Sequence, residues 1–69
     1  MSDHVYGMSE IVGSSTTSVD DAIRKAIRKA SASLRHLEWF ETSEIRGHIA
    51  DGDVDYYQVK LKIGFRIED

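Results

Sequence analysis

The C-terminal part of the chain alternates between apolar and polar residues almost without interruption. From Val54 to Ile67 one set of alternate positions is apolar or aromatic, namely Tyr57, Val59, Leu61, Ile63, Phe65 and Ile67. A period of two is typical of a β-strand with one buried and one open face. At about 3.3 Å per residue such a strand spans roughly 45 Å, whereas a compact domain of this length has a radius of gyration of only about 11 Å. A straight strand of this length would overshoot its own domain, so we expect this strand to curl round its core and to extend into a neighbouring subunit.

Length and composition restrict the class of protein. The 69 residues, 1–69, form one small domain with a marginal core, which favours oligomers. The sequence has no cysteine, so it predicts neither a disulfide nor a thiolate metal site. We expect a cytoplasmic protein with no membrane partner, because no signal peptide or membrane-spanning apolar run is present. A net charge of −3 argues against nucleic acid as a partner.

The first half of the chain reads as a strand, a loop and a helix. β-favouring residues predict a strand over His4–Val12, and Gly13–Thr17 predicts a loop. This loop could hold phosphate on its free amides, although a simple connection ending in a cap is the commoner arrangement. Ser18 is a suitable N-cap, and apolar residues at three- and four-residue steps predict one amphipathic helix over Val19–Arg35. Its basic face could attract anions, but such faces are more often simply solvated.

The second half predicts a long hairpin with an irregular first strand. This strand begins near Leu37, and its apolar positions change phase between Phe40 and Ile45. Both sets can face one core only if an extra residue is inserted, so we expect a β-bulge near Ser43–Glu44. Closing the hairpin over Asp51–Asp53 places Ile49 opposite Asp55 and Arg46 opposite Gln58. Beyond the bulge the register shifts by one residue, which places Trp39 opposite Gly64.

The hairpin also carries residue types that bind metals. Asp51, Asp53 and Asp55 resemble part of a calcium loop, but the remaining ligands of that motif are missing, and a polar turn explains them better. The three histidines have no metal-ligand spacing. We therefore predict no metal site and no catalytic residue.

Trp39 is the most informative residue of the open face. If Phe40 and Ile63 face the helix, Trp39 and Gln58 face away from it, and the indole lies over Gly64 without a bulky cross-strand partner. An exposed tryptophan indicates either a ligand platform or a plain subunit contact. Six strand residues, roughly 20 Å, separate Gln58 from Gly64, so a site using both Trp39 and Gln58 needs a second subunit.

Four segments in fixed order resemble the motifs of the dodecins, small flavin-binding proteins of archaea and bacteria. They are Glu10–Ser15, Leu34–Glu41, Glu44–Ile49 and Gln58–Arg66. The resemblance runs from about Val5 to Glu68. It implies an α+β fold: a β-α-β-β protomer whose three-stranded antiparallel sheet is wrapped around one helix, with protomers assembled into a hollow homododecamer.

The resemblance also implies a flavin site built from four residues. Trp39 matches the tryptophan that stacks on the isoalloxazine, and Gln58 matches the glutamine that hydrogen-bonds it. Arg46 matches an arginine that bacterial members carry near the ligand, which favours FMN over riboflavin, and Arg66 matches a second bacterial arginine. Some bacterial members also hold coenzyme A. Gly7 departs from the family, since many members carry a longer side chain there.

Together these features predict a flavin store with a photoprotective role, not an enzyme. A ring stacked on both faces has no free face for a substrate, and no nucleophile or acid–base pair converges on it. The alternatives are a flavin-dependent redox enzyme, or a structural shell or coenzyme A carrier.

Overall fold

A computed structural model describes residues 3–67. Over this range the chain forms four elements in the order β-α-β-β, as the sequence predicted. They are β1 (Tyr6–Ser15), α1 (Val19–Ser31), β2 (Leu37–Ala50) and β3 (Asp53–Arg66). The strands form one antiparallel sheet in the order β1-β3-β2, and α1 packs against β1 and β3. The side of the sheet away from α1 is called the open face below.

The core lies between α1 and the apolar side of β3. Val59, Leu61 and Ile63 are fully buried there, which confirms the alternation of this strand. From the helix, Ala22 and Ala26 are buried against it. These small side chains allow α1 to lie close to the sheet. Gly13 of β1 is needed for the same reason, because a Cβ at position 13 would lie 2.5 Å from the carbonyl oxygen of Ala22.

The predicted helix start is correct, whereas its predicted end at Arg35 is wrong. The Ser18 side chain accepts a hydrogen bond from the Asp21 amide at 2.9 Å, as expected of an N-cap. The helix ends at Ser31, whose hydroxyl donates to the carbonyl oxygen of Arg28. Serine competes for helical backbone groups in this way, and His36 then turns the chain at a φ of 60°. Leu34 continues the apolar spacing of the helix, but it lies three residues beyond the last helical residue.

Strand β1 begins two residues later and ends three residues later than the predicted His4–Val12, so the loop predicted over Gly13–Thr17 is shorter. The pairing of β1 with β3 continues through Gly13 and Ser14 to Ser15, which lies opposite Tyr57. Three small residues are tolerated there because the long β3 supplies backbone partners along the whole of β1. Ser15 is buried at the end of the strand.

The register of β2 confirms the bulge near Ser43–Glu44. Thr42 pairs with Leu61 and Glu44 with Lys60, which leaves Ser43 as the extra residue. The pairs Arg46 with Gln58 and Trp39 with Gly64 are also confirmed.

The tip of the hairpin differs from the prediction. Asp51 and Gly52, at φ values of 52° and 76°, form a two-residue turn, so Asp53 already belongs to β3. Ile49 consequently lies opposite Val54 and not opposite Asp55. A further register shift, between His48 and Ile49, compensates for the shorter turn.

The hairpin extends beyond the helix. The 13-residue α1 is about 20 Å long, whereas the molecule measures 55 × 20 × 14 Å, so the strands reach well beyond the helix. The expectation that Ile45 and Ile49 are buried is wrong for the protomer. They are 62% and 73% exposed because α1 packs against β1 and β3 and leaves this part of β2 uncovered.

Among residues 3–67, no helix has the length and apolarity needed to cross a bilayer.

Candidate functional site

The Trp39 indole lies on the open face directly over the backbone of Gly64. A Cβ at position 64 would overlap the ring atoms Cε2, Cζ2 and Cη2 of the indole, so only glycine accepts it in this position. Gly64 is buried, whereas Trp39 stays 39% exposed. The sheet therefore supports the indole from below and leaves part of its aromatic surface outside the protomer.

Tyr6 supports the indole from the side. Its ring centroid lies 5.3 Å from that of Trp39, at an interplanar angle of 69°, which is a favourable edge-on arrangement. Sequence reasoning missed Tyr6, although it placed this residue in a strand. The missing information was the register of β1 on β3, which puts Tyr6 opposite Arg66 and beside the indole.

A second group of polar side chains lies further along the same face. The Arg46 Nε donates to Gln58 Oε1 at 2.8 Å, and Gln58 Nε2 donates to Ser14 Oγ at 3.3 Å. The Arg46 Nη1 also forms an ion pair with Glu44 Oε1 at 3.3 Å. These contacts join all three strands in one network. Ser14 and Glu44 were not anticipated, since their roles depend on side-chain contacts across the sheet.

The four predicted site residues thus fall into two half-sites. Trp39 lies near Arg66, which is two positions beyond Gly64 on the same face of β3, and Arg46 lies against Gln58. Six residues of β3 separate Gln58 from Gly64, which corresponds to roughly 20 Å. The prediction that Trp39 and Gln58 cannot meet within one chain is confirmed. Any ligand that touches both must lie between two copies.

The stretch between the two half-sites is charged. Lys62 has Glu10 opposite it on β1 and Glu41 opposite it on β2, while Lys60 lies opposite Glu44. Among the described residues, no aromatic side chain lies on this stretch, so a flat ring would find no stacking partner between the two half-sites.

The acidic and histidine side chains are the possible metal ligands of this chain. Within the described range, no three His, Cys, Asp or Glu side chains cluster in a way that could hold a metal ion. At the tip of the hairpin, His48 Nδ1 lies 3.1 Å from Asp55 Oδ2, and its ring stacks on that of Tyr56.

Asp21 carries a perturbed carboxylate at the start of α1, away from both half-sites. A hydrogen bond from the Ser15 hydroxyl, at 2.6 Å, lowers the pKa of this carboxylate, and Lys25 lowers it further. The perturbation belongs to the fold and not to the candidate site, because Asp21 joins the end of β1 to the helix.

The chemistry of the half-sites fits a flat, polar and anionic ligand. The exposed indole offers a stacking surface, Gln58 can donate and accept hydrogen bonds at once, and Arg46 offers a cation for an acidic group. An isoalloxazine ring has the required flat shape and an edge of alternating donors and acceptors, and FMN adds a phosphate.

Comparison with known proteins gives a consistent result. The sequence model of the Dodecin family matches residues 5–68. A curated dodecin of Thermus thermophilus is 48% identical over 65 residues, which cover 94% of this chain and 94% of the relative. The solved structure of dodecin from Streptomyces coelicolor superposes with a TM-score of 0.93 at 51% identity, over 100% of this chain and 99% of that one. Dodecin from Streptomyces davaonensis gives a TM-score of 0.94 at 46% identity, over 99% and 100% of the two chains.

Proposed function

The chain belongs to the dodecin family, as its motifs predicted, and from this premise we propose that it is a cytoplasmic flavin store. Its ligand is FMN, with riboflavin as the weaker alternative. The assembly is a hollow homododecamer in which isoalloxazine rings stack between the Trp39 indoles of neighbouring subunits.

One observation carries the proposal. The Trp39 indole is fixed on Gly64 and against Tyr6, yet more than a third of the residue remains exposed. Holding a large aromatic side chain rigidly at the surface is unfavourable unless something covers it, because exposed apolar surface is stabilised by burial. A flat ring from the ligand, clamped by a second indole, would provide that cover.

The remaining site residues supply orientation and charge. Gln58 would hydrogen-bond the polar edge of the ring, Arg46 would bind the phosphate, and Arg66, near the indole, would add a second positive charge. Within one chain the two half-sites lie roughly 20 Å apart. Each ligand would therefore contact Trp39 of one copy and Gln58 and Arg46 of another.

Storage suits this arrangement better than catalysis. A ring covered on both faces by aromatic groups has no face left for a nicotinamide or a substrate. The indole is an electron donor for photoexcited flavin, and this chemistry would quench the excited state and protect the cell from it.

A fluorescence titration tests the proposal. Free FMN fluoresces, so adding the protein should quench its emission almost completely. Trp39→Ala should weaken FMN binding about tenfold or more, as expected when a flat heterocycle loses its stacking partner, while size-exclusion chromatography shows an intact assembly. Equal affinity in Trp39→Ala and the parent would rule out the stacking role.

The rival functions have their own signatures. A flavin-dependent redox enzyme would oxidise a reduced nicotinamide at a steady rate with bound FMN, and we expect no such turnover. A structural shell or a coenzyme A carrier would purify without absorbance at the flavin bands and would leave FMN emission unchanged.

A further inference from the structure

The ion pair between Glu44 and Arg46 suggests how the protein sets its choice between flavins. We propose that Glu44 competes with the ligand phosphate for Arg46, so that Glu44 limits the preference for FMN over riboflavin. The inference rests on the proposed function, in which Arg46 binds the phosphate.

Glu44 and Arg46 are neighbours on the open face, because residues two apart in a strand point to the same side. Glu44 Oε1 lies 3.3 Å from Arg46 Nη1. The two side chains are 52% and 56% exposed, so a ligand can reach them. Without a ligand, the carboxylate occupies part of the guanidinium that a phosphate monoester would use.

A bound phosphate would either displace the carboxylate or lie next to it. Both groups are anions, and two negative charges at a separation of a few ångström repel each other. In either case Glu44 weakens the binding of a phosphorylated flavin, whereas riboflavin, which has no phosphate, is unaffected. Glu44 is therefore a specificity residue that acts through Arg46.

Lys60 can receive the displaced carboxylate. It lies directly opposite Glu44 on β3, on the same face, and directly opposed side chains in an antiparallel pair are close enough to interact. Glu44 can therefore exchange one cation for another when phosphate arrives. This makes the competition mild, on the scale of an exposed ion pair.

The test compares Glu44→Gln with Glu41→Gln, measuring the dissociation constants of FMN and riboflavin for each. Glu41→Gln is the matched control, because it removes the same charge from the same face of β2, opposite Lys62 instead of Lys60. We expect Glu44→Gln to tighten FMN binding about two- to fivefold, to leave riboflavin binding unchanged, and to exceed the effect of the control. If Glu44→Gln and Glu41→Gln change FMN affinity equally, or Glu44→Gln shifts both flavins equally, the inference is overturned.

Two further variants separate this inference from the proposed function. Arg46→Ala should lower the ratio of FMN to riboflavin affinity and abolish the effect of Glu44→Gln in the double variant. If Arg46→Ala leaves the ratio unchanged, the phosphate role of Arg46 fails. If the ratio falls but Glu44→Gln still behaves like its control, only the role of Glu44 fails.

Lys60→Gln offers a route that keeps Glu44 in place. Removing the second cation should hold the carboxylate on Arg46 and weaken FMN binding relative to riboflavin. Lys62→Gln is its matched control and should have a smaller effect. An equal loss in Lys60→Gln and Lys62→Gln would contradict the exchange.

Discussion

Trp39 and Gly64 form a matched pair of residues. The indole can lie flat on the sheet only because the opposite position has no side chain. This pairing was predictable, since an apolar pattern that changes phase requires a bulge, and the bulge sets which residue faces Trp39. The position of an aromatic platform was thus available from the sequence, before any side-chain contact was known.

Replacing Gly64 tests this pair. In Gly64→Ala the new methyl group would overlap the indole, so the ring must move from its position. We expect FMN affinity to fall about tenfold, and stability to fall by about 1–3 kcal/mol as in other overpacked sites. Fluorescence titration and thermal melting measure the two effects.

Gly52→Ala is a suitable control for Gly64→Ala. Position 52 has a φ of 76° and open space around it, so alanine there strains the turn without touching the indole. It should lose stability and keep its FMN affinity. Equal flavin affinity in both glycine variants would contradict the role of Gly64.

Two substitutions of Tyr6 test whether its ring holds the Trp39 indole in place. Tyr6→Phe keeps the edge-on ring contact with Trp39 and should retain both FMN affinity and quenching. Tyr6→Ala removes a contact of the kind that contributes about 0.5–1.5 kcal/mol, and should weaken FMN binding two- to tenfold by titration. A Tyr6→Ala protein that binds FMN like the parent would show that Gly64 alone positions the indole.

At the scale of elements, the junction of β1 and α1 depends on one ionised carboxylate. The Ser15 hydroxyl donates to Asp21 and accepts from the Thr17 amide, so it joins the strand end to the first helical turn. The pKa of Asp21 is lowered in the folded protein, first by Ser15 and then by Lys25. Asp21 therefore contributes stability above its unfolded pKa of about 4, and this contribution is lost as pH falls through the lower folded value.

The variant Asp21→Asn should show this pH dependence. At pH 7 it should melt below the parent, and the difference should shrink as acid protonates Asp21 in the parent. Asp20→Asn is the control, because Asp20 pairs with Arg24 on the helix surface and not with Ser15. Melting curves between pH 2.5 and 7 measure the difference, and a gap that stays constant across this range would contradict the account.

The limits of the sequence are clearest in the hairpin. A shorter turn and an additional bulge each shift the register by one residue in opposite directions, so the pairing of Arg46 with Gln58 is the same with both or with neither. The net register was therefore predicted correctly, but Ile49, which lies between the turn and the additional bulge, was paired with the wrong residue. The residue pattern cannot distinguish a hairpin that has both features from one that has neither. The contacts of Tyr6, Ser14 and Glu44 were missed because they depend on the register of β1 or on side-chain geometry.

At the scale of the whole molecule, the protomer exposes surface that a partner should cover. The far part of the hairpin carries Ile45, Ile49 and Val54, all exposed outside the area that α1 covers. A surface of this kind is typical of subunit contacts. Together with the two separated half-sites, it indicates that folding is completed by assembly.

Ile49→Glu tests the dependence on assembly. Within one chain this side chain is already exposed, so the change should leave the circular dichroism of the protomer intact. In the assembly, the new carboxylate would be buried at the contact between subunits. We expect this to dissociate the assembly and abolish FMN binding. Size-exclusion chromatography with light scattering gives the oligomeric state. A monomer that still binds FMN tightly would contradict a site shared between copies.

The central claim is that the flavin lies between subunits and is clamped by Trp39 from more than one of them. Native mass spectrometry of the protein with FMN tests this most directly, because it counts subunits and ligands in the same particle. We expect FMN mass to appear only on the assembled dodecamer and to be lost from it in the Trp39→Ala variant. FMN bound stably to a single chain, or an intact dodecamer that takes up no FMN, would contradict it.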